Sequence, residues 1–165
     1  MAISKQKKVE IVADFAEKVK DAQSIVFVNF RKLPVSETIS LRRALRAEGV
    51  GYSVVKKTLA KRVLGTLGVS GDMPVLDGEV AFAYSADMLA PARSVYEFQK
   101  THKEQVAIVG GVFEGKYMSK ELMMGIATIP PREVLYAQFV NLINSPIQRF
   151  AVVLDQIAAS KEASA

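Results

Sequence analysis

The 165-residue chain contains no cysteine. That excludes disulfides and thiolate metal sites, and it fits a reducing cytosolic compartment. Histidine occurs once, as His102, and no His/Asp/Glu set has metal-ligand spacing. No apolar run approaches the ~18 residues that a membrane span needs, and the opening "MAISKQKKVEIVADFAEKV" lacks the apolar block of a signal peptide. Serines stand without an adjacent base, so no nucleophile is in view. The expectation is a soluble, cytoplasmic protein that is not an enzyme, needs no cofactor and meets no membrane.

What is present is apolar material and an uneven charge. Half of the residues are hydrophobic, enough for the core of one domain, with room for an appendage. The net charge of +5 is concentrated at the front. Residues 1–66 hold 14 Lys/Arg against 6 Asp/Glu, whereas the remaining 99 hold 8 against 11. A basic front half implies a polyanionic partner, although charge alone does not separate nucleic acid from membrane.

Periodicity orders the elements. Helical spacing of Val9, Val12, Phe15 and Ala16 predicts a helix over 5–18, with Ser4 placed to cap it. "SIVFVNF" (24–30) reads as a strand, and Ser36 can cap a helix that runs to Glu48 and stops at Gly49. "VGYSVV" is a second strand and 57–64 a third helix. "EVAFAY" (79–84) is a third strand, followed by a helix from about Asp87 to His102 with Pro91 in its first turns. "QVAIVGGVFEGKYM" reads as one strand interrupted at Gly110-Gly111 by a bulge or a bend, and 119–127 as a short helix. Strands alternating with helices predict an α/β or α+β sandwich, a small sheet packed with helices. After Pro130-Pro131 no strand remains. "REVLYAQFVNLIN" and "IQRFAVVLDQIAASKEASA" read as two helical stretches with a hinge at Ser145-Pro146.

Two surfaces attract functional interest. On a wheel of ~100° per residue, Leu59, Ala60 and Val63 group on one side of the third helix, and Lys57, Thr58, Lys61 and Arg62 on the other. The preceding helix carries Arg42, Arg43 and Arg46 beside Ile39, away from Leu41 and Leu45. Arg31 and Lys32 lie in the intervening loop, Lys56 precedes the third helix, and Lys5, Lys7 and Lys8 open the chain. Each stripe alone could be an ordinary solvated face. Together, with few carboxylates between them, they suit phosphates, as does the helix N-terminus near Lys56 and Lys57. Sparse aromatics point to structured or double-stranded RNA rather than splayed strands. In the tail, Ile147, Phe150, Leu154 and Ile157 recur at spacings of three, four and three, widened by Ala151, Val153 and Ala158. Such a stripe either packs back on its own domain or projects and binds a partner protein helix-in-groove. His102 reads as a helix-end histidine, "GGVFEG" lacks the spacing of a dinucleotide fingerprint, and Met118, Met123 and Met124 read as gap fillers.

Five segments in order carry a resemblance over essentially the whole chain: "FRKLPVSETISLRRALRAEGVGYSVVKKTLAKRVL", "GEVAFAY", "APARSVYEFQK", "VGGVFEG" and "IPPREVLYAQFVNLINSPIQRFAVVL". Together they resemble the bacterial large-subunit ribosomal protein L-ten family, which forms the base of the ribosomal stalk. The resemblance implies a ferredoxin-like α+β sandwich with a small mixed sheet, and a projecting helical tail. It implies a domain over 1–130 that binds large-subunit rRNA, and a segment over 131–165 that carries dimers of the acidic stalk protein L-seven/L-twelve. Protein L-eleven would be a neighbour at the stalk base, and the dimers would recruit translational GTPases. The length of 147–162 fits two such dimers. One departure stands out: Lys57 replaces the asparagine usual in the family's "VVKNTL" motif, putting a cation where an amide would be. The alternative reading is a stand-alone RNA-binding or ribosome-assembly factor whose tail completes the core.

Overall fold

The residues of SIVFVNF serve two faces in turn. Val26 and Val28 belong to one buried cluster, Ile25 and Phe27 to another, as the two-residue period of a strand requires. With both faces covered, the strand is buried from Ser24 to Val28. The computed structural model describes residues 5–66, 68–102 and 105–162. They form α1 (Lys5–Lys20), β1 (Ser24–Phe30), α2 (Val35–Ala47), β2 (Gly51–Val54), α3 (Lys57–Thr66), β3 (Val80–Ser85), α4 (Ala90–Thr101), β4 (Val106–Phe113), β5 (Lys116–Ser119), α5 (Lys120–Ala127) and α6 (Arg132–Glu162). Ser4, read as a cap, lies outside the described residues.

The sheet has the order β2-β3-β1-β4-β5, and every neighbouring pair is antiparallel. This corrects the expected mixed sheet. The β1–α2–β2 crossover leaves a gap one strand wide, and β3 fills it running against both neighbours. The parallel pair therefore never touches, which is the split-βαβ logic of ferredoxin-like folds. Helices α2, α4 and α5 cover one face through Leu41, Leu45, Val95 and Met123. Helices α1 and α3 cover the other through Phe15, Val19, Leu59 and Val63. There Phe82 stands edge-on to both Phe15 and Phe27, with centroids 5.3 and 5.5 Å away.

Helix ends follow local chemistry. Gly49 adopts φ +69, its N–H donates to the Arg46 carbonyl, and the Val50 N–H donates to that of Leu45. That is a Schellman close, with Val50 and Leu45 both buried. At the other end α2 starts at Val35 after Pro34, so Ser36 is not its cap. Helix α4 starts at Ala90, later than expected. The Asp87 carboxylate instead accepts the Leu89 N–H in the preceding turn, and Pro91 enters the first turn.

The segment expected as one strand is two. Glu114 and Gly115 both take positive φ (50 and 73), the geometry of a two-residue type I′ hairpin loop, and Phe113 pairs with Lys116. The irregularity near Gly110-Gly111 is a bulge: Phe27 pairs with Gly110 but Val28 with Ile108, leaving Val109 extra. A Cβ at Gly111 would collide with the Ile25 carbonyl oxygen and the Met123 methyl. The backbone oxygen cannot yield without breaking the β1–β4 ladder. Gly111→Ala should therefore destabilise the chain by about 3 kcal/mol, read as an earlier urea midpoint.

The chain divides into two compact units, 1–129 and 130–165. Neither buried cluster includes a residue beyond Ala127. The second unit is α6, a single helix with Pro146 inside it, where two stretches with a hinge were expected. Pro146 removes the N–H that would serve the Leu142 carbonyl, yet the flanking residues continue the helix. Among the described residues no helix is long and apolar enough to cross a membrane.

Candidate functional site

The nine cations from Arg31 to Arg62 gather around one edge and one end of the sheet. Strand β2 is an edge strand. Helix α2 precedes it and packs on one face, and α3 follows it and packs on the other. The two basic helices are neighbours in sequence but straddle the β2 edge. On α2, Arg42, Arg43 and Arg46 are exposed and line a shallow hollow with Ile39. The Arg42 guanidinium lies 5.6 Å from the Tyr52 ring centre on β2. Burial pushes the Tyr52 hydroxyl above its ordinary range, and Arg42 partly offsets this.

On the other face α3 buries Leu59, Ala60, Val63 and Leu64 and exposes Thr58, Lys61 and Arg62, with Lys56 exposed just ahead. The Leu59 and Ala60 N–H groups donate to the Lys56 carbonyl. The amides of Lys57 and Thr58 precede that first intrahelical bond. Lys57 departs from the expected picture: it is half-buried, and its ammonium donates to the Leu76 carbonyl at 3.0 Å. It pins the loop that carries Leu76 to the start of α3, so its ammonium is already hydrogen-bonded.

Arg31 and Lys32 leave β1 at the end of the sheet where Lys56 leaves β2, because both strands run against β3. Lys32 takes φ 50, the left-handed turn that sends the chain from β1 into α2. Arg31 also lines a hollow of about 330 Å³ with Lys120, Gln105, Asp77 and Asn29. Lys120 escaped the sequence reading because a lone lysine at a helix start has no pattern. Lys7 and Lys8 are exposed on α1, and the side chain of Lys5 lies outside the described residues.

The ion pairs of the described residues lie away from this surface. Among the described residues the salt bridges of Lys and Arg are Lys18–Asp14 and Arg93–Glu48, and His102 contacts the Glu37 carboxylate. None involves the nine cations from Arg31 to Arg62. His102 closes α4, stacks on Phe98 at 4.3 Å and faces Glu37 at 3.1 Å, an arrangement that packing explains in full. Met123 is buried, as a core filler.

The second unit offers a different chemistry. Ile147, Phe150, Val153, Leu154 and Ile157 are 48–69% exposed, and Ala151 and Ala158 are exposed beside them. The stripe begins earlier than the sequence reading placed it. Leu135, Tyr136, Phe139, Val140, Leu142 and Ile143 are also exposed. At ~100° per residue they fall on the same side of α6 as Ile147 to Ala158. The period was present in "REVLYAQFVNLIN", but the proline drew attention away from it.

Comparison with known proteins agrees along the chain. The family model of ribosomal protein L10 matches residues 3–100, and that of the ribosomal protein uL10 C-terminal region matches 129–164. The chain is 35% identical to large ribosomal subunit protein uL10 of Shouchella clausii, with 95% of each chain covered. It is 36% identical to that of Clostridium acetobutylicum, covering 97% of this chain and 95% of the relative. With that of Leptothrix cholodnii it shares 33%, over 98% and 88%. These matches put the chain among structural proteins of the ribosome rather than among enzymes. It belongs to the ribosomal protein uL10 family, proteins of the large ribosomal subunit.

Proposed function

We propose that the protein is a two-part bracket within the cytoplasmic ribosome. The first unit holds large-subunit rRNA at the stalk base, and α6 carries dimers of the acidic stalk protein L7/L12. Protein L11 would be its neighbour on the same RNA. The observation that carries the RNA half is the run of nine cations around the β2 edge with no carboxylate partner among the described residues. An ordinary solvated surface of this density would interleave acids; a polyanion site leaves its cations to be neutralised by the ligand. Residues Arg31, Lys32, Arg42, Arg43, Arg46, Lys56, Thr58, Lys61 and Arg62 are the proposed RNA contacts, with Lys7 and Lys8 at the margin. Lys57 acts by holding the loop. For the other half, the exposed stripe of α6 suits helix-in-groove docking.

The test is a filter-binding titration with a stalk-base rRNA transcript. Replacing Lys56, Lys61 and Arg62 by alanine should lower affinity on the order of a hundredfold near 0.15 M salt. It should also flatten the slope of log affinity against log salt by roughly 0.7–0.9 per lost contact. The fold should hold, because all three are exposed. Unchanged affinity and slope would defeat the RNA half.

A further inference from the structure

Between the ends of β1 and β2 and the start of β3 lies a hollow of about 430 Å³. Phe30, Val54 and Val80 supply apolar walls, and Lys56, Lys57 and Glu79 also line it. Its size exceeds the ~300 Å³ lower end of small-ligand sites. Val54 is 51% exposed, an aliphatic surface left open among cations. The Phe30 N–H donates to the Glu79 carbonyl at 3.1 Å, which fixes the backbone of both walls.

Glu79 is the feature that needs a reason. Its carboxylate stands among uncompensated cations, yet it joins none of the salt bridges or side-chain hydrogen bonds of the described residues. The nearby Lys57 ammonium is committed to the Leu76 carbonyl. A carboxylate weakens a surface meant only for phosphates. It strengthens one that must also accept N–H groups, since it offers two acceptor oxygens side by side. Among the bases only guanine presents two adjacent donors, N1–H and N2–H₂, on its Watson–Crick edge. An aromatic and aliphatic wall suits the flat face of an unpaired base.

We propose that this hollow receives one unpaired guanine of the bound RNA. Its face lies against Phe30 and Val54, its donor edge on the Glu79 carboxylate, and its phosphate beside Lys56. The inference rests on the RNA reading above and adds a specificity that the cations cannot provide, because phosphate contacts carry no sequence. One base extruded from a bulge or internal loop is compatible with an otherwise structured RNA.

The sign of one substitution separates this from a purely electrostatic surface. If Glu79 had no ligand, Glu79→Gln would remove a repelling charge and tighten RNA binding. With guanine in the hollow, the same change weakens binding to the stalk-base transcript by about tenfold and leaves the salt slope unchanged. Val54→Trp, which fills the hollow from an exposed strand position, should weaken binding similarly. In the wild-type complex one unpaired guanine should be shielded from kethoxal, and either variant should expose it again. Affinity for Glu79→Gln equal to or above wild type overturns the proposal, as does the lack of any guanine shielded by the wild-type chain. If the wild-type chain fails to bind the transcript at all, the RNA reading itself falls, a distinct result.

Discussion

A chain ended after Ile129 should fold, keep its rRNA affinity within about twofold, and lose all binding to stalk dimers. The reasons are additive. Neither buried cluster uses a residue beyond Ala127, so removing 130–165 subtracts nothing from the first unit's core. The nine cations without a carboxylate partner among the described residues all lie between Arg31 and Arg62, so the electrostatic part of RNA binding stays. The apolar stripe goes entirely with α6. Ending the chain after Ser145 should give the same loss of dimers, because the proposed contacts run from Ile147 to Ala158. Size-exclusion chromatography with purified dimers reads the loss, a filter titration the RNA affinity, and thermal melting the fold. Aggregation of the 1–129 chain, or loss of its RNA affinity, would mean that the tail completes the core and the bracket picture is wrong.

The central strands were legible because burial on both faces leaves an unmistakable apolar run in SIVFVNF and EVAFAY. The close of α2 was legible because Gly49 at +69° is the residue that such a close requires. The β4–β5 turn was not. Glu-Gly is a weaker hairpin signal than Asn-Gly or Asp-Gly, and the adjacent Gly110-Gly111 offered a louder one. Strand direction was hidden for another reason. Alternating strands and helices read the same whether the next strand joins beside its predecessor or leaves a gap that a later strand fills. At the site, residue types could be read but not which face of the sheet each helix would cover. The two basic stripes come from helices consecutive in sequence, yet they straddle β2. The Lys57–Leu76 contact joins positions nineteen apart, and nothing local to "VVKKTL" announces it. Glu79, a single acid at a strand start, became conspicuous only when the fold set it among cations.

Phe150→Ala combined with Leu154→Ala should weaken binding of the stalk dimers by about a thousandfold or more. Both side chains are at least half exposed (66% and 51%) and sit mid-stripe, where a groove would desolvate them fully. Each truncation then removes on the order of 2 kcal/mol of apolar burial, and every 1.4 kcal/mol is about tenfold in affinity. The surface location of both means that stability should change little, so the loss reports contact rather than folding. Number follows from the length of the segment that carries the proposed contacts. Residues 147–162 span roughly 24 Å at ~1.5 Å per residue, and a groove on a small helical dimer covers about two to three turns. Ile147, Phe150 and Ala151 would meet one dimer, and Leu154, Ile157 and Ala158 the next, with Val153 beside their boundary. The expected assembly is a pentamer, one copy of this chain with two dimers, and native mass spectrometry of the co-expressed proteins reads it directly. A dominant species with six partner copies would put a third dimer on the exposed stretch from Leu135 to Ile143 and overturn the limit of two.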